Sequence, residues 1–150
     1  MNAMVKVARS AFMLAALLAC DGSSQGGAGM GGADACLEPL DLECTPSYSP
    51  TYDQIFTRRI VPTCGAGGTS CHGPSGNKGN LTLDPNDPDA AYSALLEADH
   101  GLVVPGDPEC SVMIQRLESD DLDFVMPVRQ PLMPGELCSI RKWVANGAQR

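Results

Sequence analysis

Read for hydrophobic periodicity, the chain has three parts: an uncharged apolar run, a polar glycine-rich stretch, and short amphipathic segments separated by loops. The apolar run is residues 11–19 (AFMLAALLA), too short for a stable membrane span, which needs about 20 residues. Residues 21–35 (DGSSQGGAGMGGADA) carry no apolar periodicity. Ser49-Pro50 and the sequence Thr51-Tyr52-Asp53-Gln54 then predict a capped helix start, followed by Tyr52, Ile55, Phe56 and Ile60 at helical spacing and a stop at Pro62. Residues 63–80 read as a glycine-rich loop, and Leu81-Thr82-Leu83 as a brief extended piece. A second helix is predicted from Asp87-Pro88 through Leu96, burying Ala91, Leu95 and Leu96. A third is capped by Asp107-Pro108-Glu109 and carries Met113, Ile114 and Leu117. The last runs from about Gly135 to Asn146, with Leu137, Ile140 and Val144 inward, Trp143 at its edge, and Gly147 as a left-handed cap. No segment alternates as a sheet does. The fold class is therefore all-α, a small domain of about four short helices and long loops.

Length and charge narrow this further. At 150 residues the chain allows one domain, and only 5% of it is aromatic, a thin supply for the interior. The formal net charge of −8 argues against nucleic acid as a partner, because little would neutralise phosphates.

The N-terminus reads as an export segment. Lys6 and Arg9 precede the apolar run, which ends in Leu17-Leu18-Ala19-Cys20 and resembles the lipobox of bacterial lipoproteins. That resemblance implies a signal peptide at 1–19, a lipidated Cys20, and a flexible tether over 20–35 that holds the protein at a membrane of the cell envelope, facing the periplasm or outside. Cleavage removes Lys6 and Arg9, so the mature charge becomes more negative still. A surface of that sign steers encounter with a basic partner.

Cysteine is the outlier, with seven in the chain. Setting Cys20 aside leaves an even number in an oxidising compartment, where thiols pair or are put to chemical use. Cys36 and Cys44 flank a short Pro-containing loop and are expected to bridge, closing a lead-in over 36–48. Cys110 and Cys138 fall in predicted helices and are expected to form a second bridge. Cys64 and Cys71 remain. They either close a third disulfide in a haem-free lipoprotein, acting as a binding or envelope-structural module, or they anchor a cofactor.

Cys71 is followed by His72, and Cys-His is the second half of the c-type haem attachment motif C-x-x-C-H. Here the spacing is C-x6-C-H, with Gly65, Gly67 and Gly68 in the lengthened spacer. With its flanks, the domain over 49–150 resembles the cytochrome c-like domains of exported bacterial proteins, including the planctomycete-type cytochrome c family. The matching pieces are Ile55-Phe56, Ile60-Val61-Pro62, Cys71-His72-Gly73, Leu81-Thr82-Leu83, Val103-Val104-Pro105-Gly106-Asp107-Pro108, Met126-Pro127 and Ile140 through Ala148. The resemblance implies a non-enzymatic carrier of single electrons with covalent haem c at Cys71, and Cys64 as the second anchor. It makes His72 the proximal iron ligand and Met126 the distal one. Met133-Pro134 repeats the dipeptide, and His100 is the second histidine, so both compete for the distal role. Asp120, Asp121 and Asp123 read as solvated loop surface, lacking calcium-loop spacing. There is no paired zinc spacing, nucleophile elbow, phosphate loop or H-E-x-x-H.

Overall fold

A computed structural model describes residues 36–66, 68–97 and 101–150. The expected signal peptide, Cys20, the tether, Gly67 and His100 lie outside the described residues. The described residues form one compact unit. Among the described residues there are four α-helices and no strand, so the domain is all-α and disulfide-stapled.

Helix α1 (Tyr52–Ile55) continues without a break into a wide π-type turn over Phe56–Cys64. Pro62 lies inside this segment rather than ending it. A proline lacks the N–H that an α-helix would use, and the widened turn instead closes on the Gly65 N–H donating to the Ile60 carbonyl at 2.8 Å. Nor does the predicted capping box form. Thr51 makes no side-chain cap, and Gln54 accepts from Arg58 Nε at 2.9 Å instead.

Helix α2 (Pro88–Leu96) starts as its sequence dictates, with the Asp87 carboxylate accepting from the Ala90 N–H at 2.9 Å and Pro88 in the first turn. Ala91 and Leu95 are buried, while Leu96 packs partly buried at the margin. Helix α3 (Val112–Glu118) begins later than its apparent cap. Asp107 instead closes a turn by accepting from the Cys110 N–H at 3.0 Å. Cys110 therefore lies ahead of the helix. The buried Ser111 hydroxyl then ties this turn down, donating to the Asp107 carbonyl at 2.8 Å and accepting from the Val104 N–H at 2.9 Å.

Helix α4 (Pro134–Ala145) ends in a Schellman cap: Gly147 has φ +89°, its N–H donates to the Val144 carbonyl and the Ala148 N–H to the Trp143 carbonyl, each at 2.9 Å. Trp143 is not at an edge. It is 2% exposed, donates Nε1–H to the Gln149 carbonyl at 2.9 Å, and packs on Tyr52 with ring centroids 5.8 Å apart. Tyr52 also meets Tyr92 edge-on at 4.9 Å and Phe56 at 5.8 Å, so four of the few aromatics form one cluster joining α1, α2 and α4.

The two disulfides correct the expected pairing. Cys36 bonds Cys110, and Cys44 bonds Cys138. The lead-in is therefore not a closed loop of its own. It runs against the helices as a strap, with the Leu37 N–H donating to the Glu109 carbonyl at 3.0 Å and the Ser47 N–H to the Gly135 carbonyl at 2.8 Å. Fully buried Ser139 joins the same strap, its hydroxyl donating to the Tyr48 carbonyl at 3.0 Å and accepting from the Tyr48 N–H at 3.3 Å. A stretch with no helix of its own must find partners for its backbone groups elsewhere, and here α4 and the turn before α3 supply them.

Candidate functional site

The widened turn delivers Cys64 to the point where the glycine-rich loop begins, and that loop folds back on it. The His72 N–H donates to the Cys64 carbonyl at 3.1 Å, and the Leu83 N–H to the His72 carbonyl at 2.6 Å. Residues 64, 72 and 83 are thereby laced together across the loop, with Leu81 and Leu83 anchoring its far end on the core. The approach is close enough to demand glycine. A Cβ at Gly73 would stand 2.2 Å from the Gly65 carbonyl oxygen, well inside contact distance.

Cys64 and Cys71 are both free, although the other four described cysteines are paired. Burial, helped by the neighbouring Cys71 sulfur, pushes the Cys64 thiol up to about 11. It therefore stays protonated at neutral pH. The His72 ring is aligned by one contact, Nδ1 at 2.9 Å from the Lys78 carbonyl oxygen. A carbonyl can only accept, so Nδ1 carries the proton and Nε2 presents its lone pair. That is the arrangement of a metal-ligating histidine whose second nitrogen is held by a backbone oxygen.

The chemistry of this donor set fits a c-type haem: two unpaired thiols flank a loop that ends in a histidine with a free Nε2. The lengthened spacer does not separate the two halves, because Cys64 and His72 are hydrogen-bonded neighbours.

Met126 lies in the loop between α3 and α4. Its N–H donates to the Arg116 carbonyl at 2.8 Å, at the C-terminal end of α3, and its peptide bond to Pro127 is cis. The side chain packs partly buried against the hydrophobic core, as Cys64 does. Met133 differs, being 66% exposed at the start of α4. The loop carrying Met126 is pinned by Arg116, which donates to the Phe124 carbonyl at 3.1 Å while its guanidinium lies 3.7 Å from the Phe124 ring centroid. Asp120, Asp121 and Asp123 are exposed on it, and the Asp121 carboxylate accepts from the Asp123 N–H at 2.9 Å. No group of residues suited to a non-haem metal ion occurs among the described residues.

Sequence reasoning did not single out Lys78, whose contribution is a main-chain oxygen and leaves no side-chain signal. A cleft of about 410 Å³ between the start of α1 and the end of α4, lined by Tyr52, Trp143 and Arg150 among others, contains none of these site residues.

Comparison with curated proteins and with solved structures gives no match. Residues 69–129 match the family described as Planctomycete cytochrome C. The matched stretch takes in Cys71, His72 and Met126 and begins after Cys64. With Cys71-His72 folded into one loop and Met126 packed on the core of an all-α domain, that stretch is similar to a planctomycete-type cytochrome c domain.

Proposed function

We propose that the protein is an exported one-electron carrier holding a covalent c-type haem, tethered to a membrane through Cys20. The observation that carries this reading is the His72 ring, fixed by the Lys78 carbonyl so that Nε2 is left to ligate, directly beside a free Cys71. Bound haem would supply a one-electron iron couple. Cys71 and Cys64 would hold it through thioethers, His72 would be the proximal ligand, and Met126 the distal ligand. A thioether and an imidazole as its ligands would favour ferrous iron and raise the potential.

The rest of the chain has supporting roles. Leu81 and Leu83 fasten the loop that carries His72 to the core. The net negative charge favours a redox partner with a basic docking face, and salt weakens that encounter. The apolar run and Cys20 support an envelope location. Among the described residues, no helix is long and apolar enough to cross a membrane.

The test is to express the full chain in a host with cytochrome c maturation, then record its absorption spectrum and intact mass. A Soret band and a mass raised by one covalent haem are expected. A colourless product containing a Cys64–Cys71 disulfide would overturn the reading in favour of a haem-free envelope module. In the haem-loaded protein, Met126→Ala abolishes the methionine-to-iron charge-transfer band and Met133→Ala leaves it intact. The opposite pattern would reassign the distal ligand.

A further inference from the structure

The Lys78 carbonyl that orients His72 sits in an unusual stretch of backbone. Asn77, Gly79 and Asn80 have φ of 41°, 63° and 58°, so three of the four residues around Lys78 are left-handed. Outside glycine this region favours asparagine, and each such residue still costs free energy against ordinary backbone. A surface loop with no further duty would not need so many. The turn is also closed by side chains, since the Thr82 hydroxyl donates to Asn77 Oδ1 at 3.0 Å. Its main chain is tied inward by the Asn77 N–H donating to the Gly73 carbonyl at 3.0 Å. Both main-chain groups of Lys78 meet the site: its N–H donates to the Cys71 carbonyl at 3.3 Å, and its oxygen accepts from the Leu81 N–H at 3.2 Å and from His72 Nδ1 at 2.9 Å.

We propose that Asn77, Gly79 and Thr82 are positioning residues that fix the tautomer of His72, locking the proton on Nδ1 so that Nε2 is a ready ligand before any cofactor arrives. The value of that tautomer to the protein rests on the haem reading above; the device itself does not. A hydrogen bond of ordinary net strength changes the ratio of the two neutral tautomers about fivefold. Loss of the turn releases that bias.

The measurement is nitrogen-15 NMR of the full chain, made in a host without cytochrome c maturation and recorded at alkaline pH, where imidazole is neutral. The chain has two histidines, so His100→Gln assigns the signals. The expected result is a protonated Nδ1 and an unprotonated Nε2 on His72. Thr82→Val and Gly79→Ala shift the ratio about fivefold toward protonated Nε2. The Gly79 change acts through backbone strain alone, because its Cβ would meet nothing within 4 Å. Thr82→Ser, which keeps the hydroxyl, restores the parent ratio. A His72 found protonated on Nε2 in the unaltered chain, or a ratio indifferent to Thr82→Val and Gly79→Ala, would overturn the proposal. In haem-loaded protein in the ferrous state, the same bond is read as slow exchange of the Nδ1 proton, and both variants speed it. A chain that takes no haem but shows the tautomer shifts would defeat the electron-carrier reading and leave this device standing.

Discussion

Removing the Cys44–Cys138 disulfide as the pair Cys44→Ala/Cys138→Ala tests how the strap holds the domain. The two cysteines are 94 residues apart in sequence, yet that is not the loop their bond closes in the unfolded chain. Because Cys36–Cys110 interleaves with it, the short route runs from Cys44 back to Cys36, across that bond, and on from Cys110 to Cys138. That closed path has roughly 36 residues, for which chain entropy gives about 4 kcal/mol. Cys138 is fully buried, so truncating it adds about 1 kcal/mol of lost packing. The expected total of about 5 kcal/mol is a large share of a small domain's stability. Guanidinium unfolding followed by Trp143 fluorescence measures it. The variant's denaturant slope should also rise, because the freed unfolded chain exposes more surface. Cleavage of the unaltered chain at its glutamates, Glu43 between Cys36 and Cys44 and Glu118 and Glu136 between Cys110 and Cys138, separates the four cysteines, and mass spectrometry then reads each partner. A loss below about 2 kcal/mol, or a digest in which Cys36 and Cys44 remain joined, would refute the reasoning.

Other substitutions probe the remaining supports. Gly73→Ala forces a Cβ against the Gly65 carbonyl and should destabilise by about 1–3 kcal/mol in thermal melts. An unchanged melting temperature would show that the loop can relax. Burial pushes the Tyr52 phenol up to about 12, so the fold favours its neutral form. Stability from this source is intact below pH of about 10 and is lost as pH rises toward 12, when the unfolded chain ionises first. Tyr52→Phe should flatten that alkaline limb, at a neutral-pH cost of about 1 kcal/mol for the hydroxyl bond to the Pro88 carbonyl. In haem-free protein at pH 8, Cys64 should resist iodoacetamide and react only above pH 10, since its thiol stays protonated up to about 11. Rapid labelling at pH 8 would show that the thiol is not shielded. Ser139→Ala should cost about 1–2 kcal/mol, because it strips partners from both backbone groups of Tyr48.

The helices were legible wherever local chemistry decides them. Asp87-Pro88 starts α2 and Gly147 ends α4, because caps are set by adjacent residues. Pro62 misled, since a proline forbids one hydrogen bond of an α-helix but not a wider turn. The aromatics looked too few for an interior, and counting could not show that Tyr52, Tyr92, Phe56 and Trp143 converge on one point. The disulfide partners were beyond local reading for a related reason. Sequence nearness favours Cys36 with Cys44, but the strap packs along the domain and brings each to a distant helix or turn. Cys71-His72 stood out because its chemistry is contiguous, whereas the oxygen that orients the ring belongs to a main chain that any residue possesses.

The interleaved bonds also decide how tension would travel through the protein. A pull arriving from the N-terminal side at Cys36 has two branches to α4. One crosses to Cys110 and runs along the chain to Cys138; the other takes the strap to Cys44 and crosses there. The strap is much the shorter, so it tightens first and bears the load. Cys64, Cys71 and His72 lie within the loop that the first bond closes, and Met126 hangs on the slack branch. Drag on the domain is thus taken by covalent links and α4, while the segments that carry Cys64, Cys71, His72 and Met126 stay unloaded.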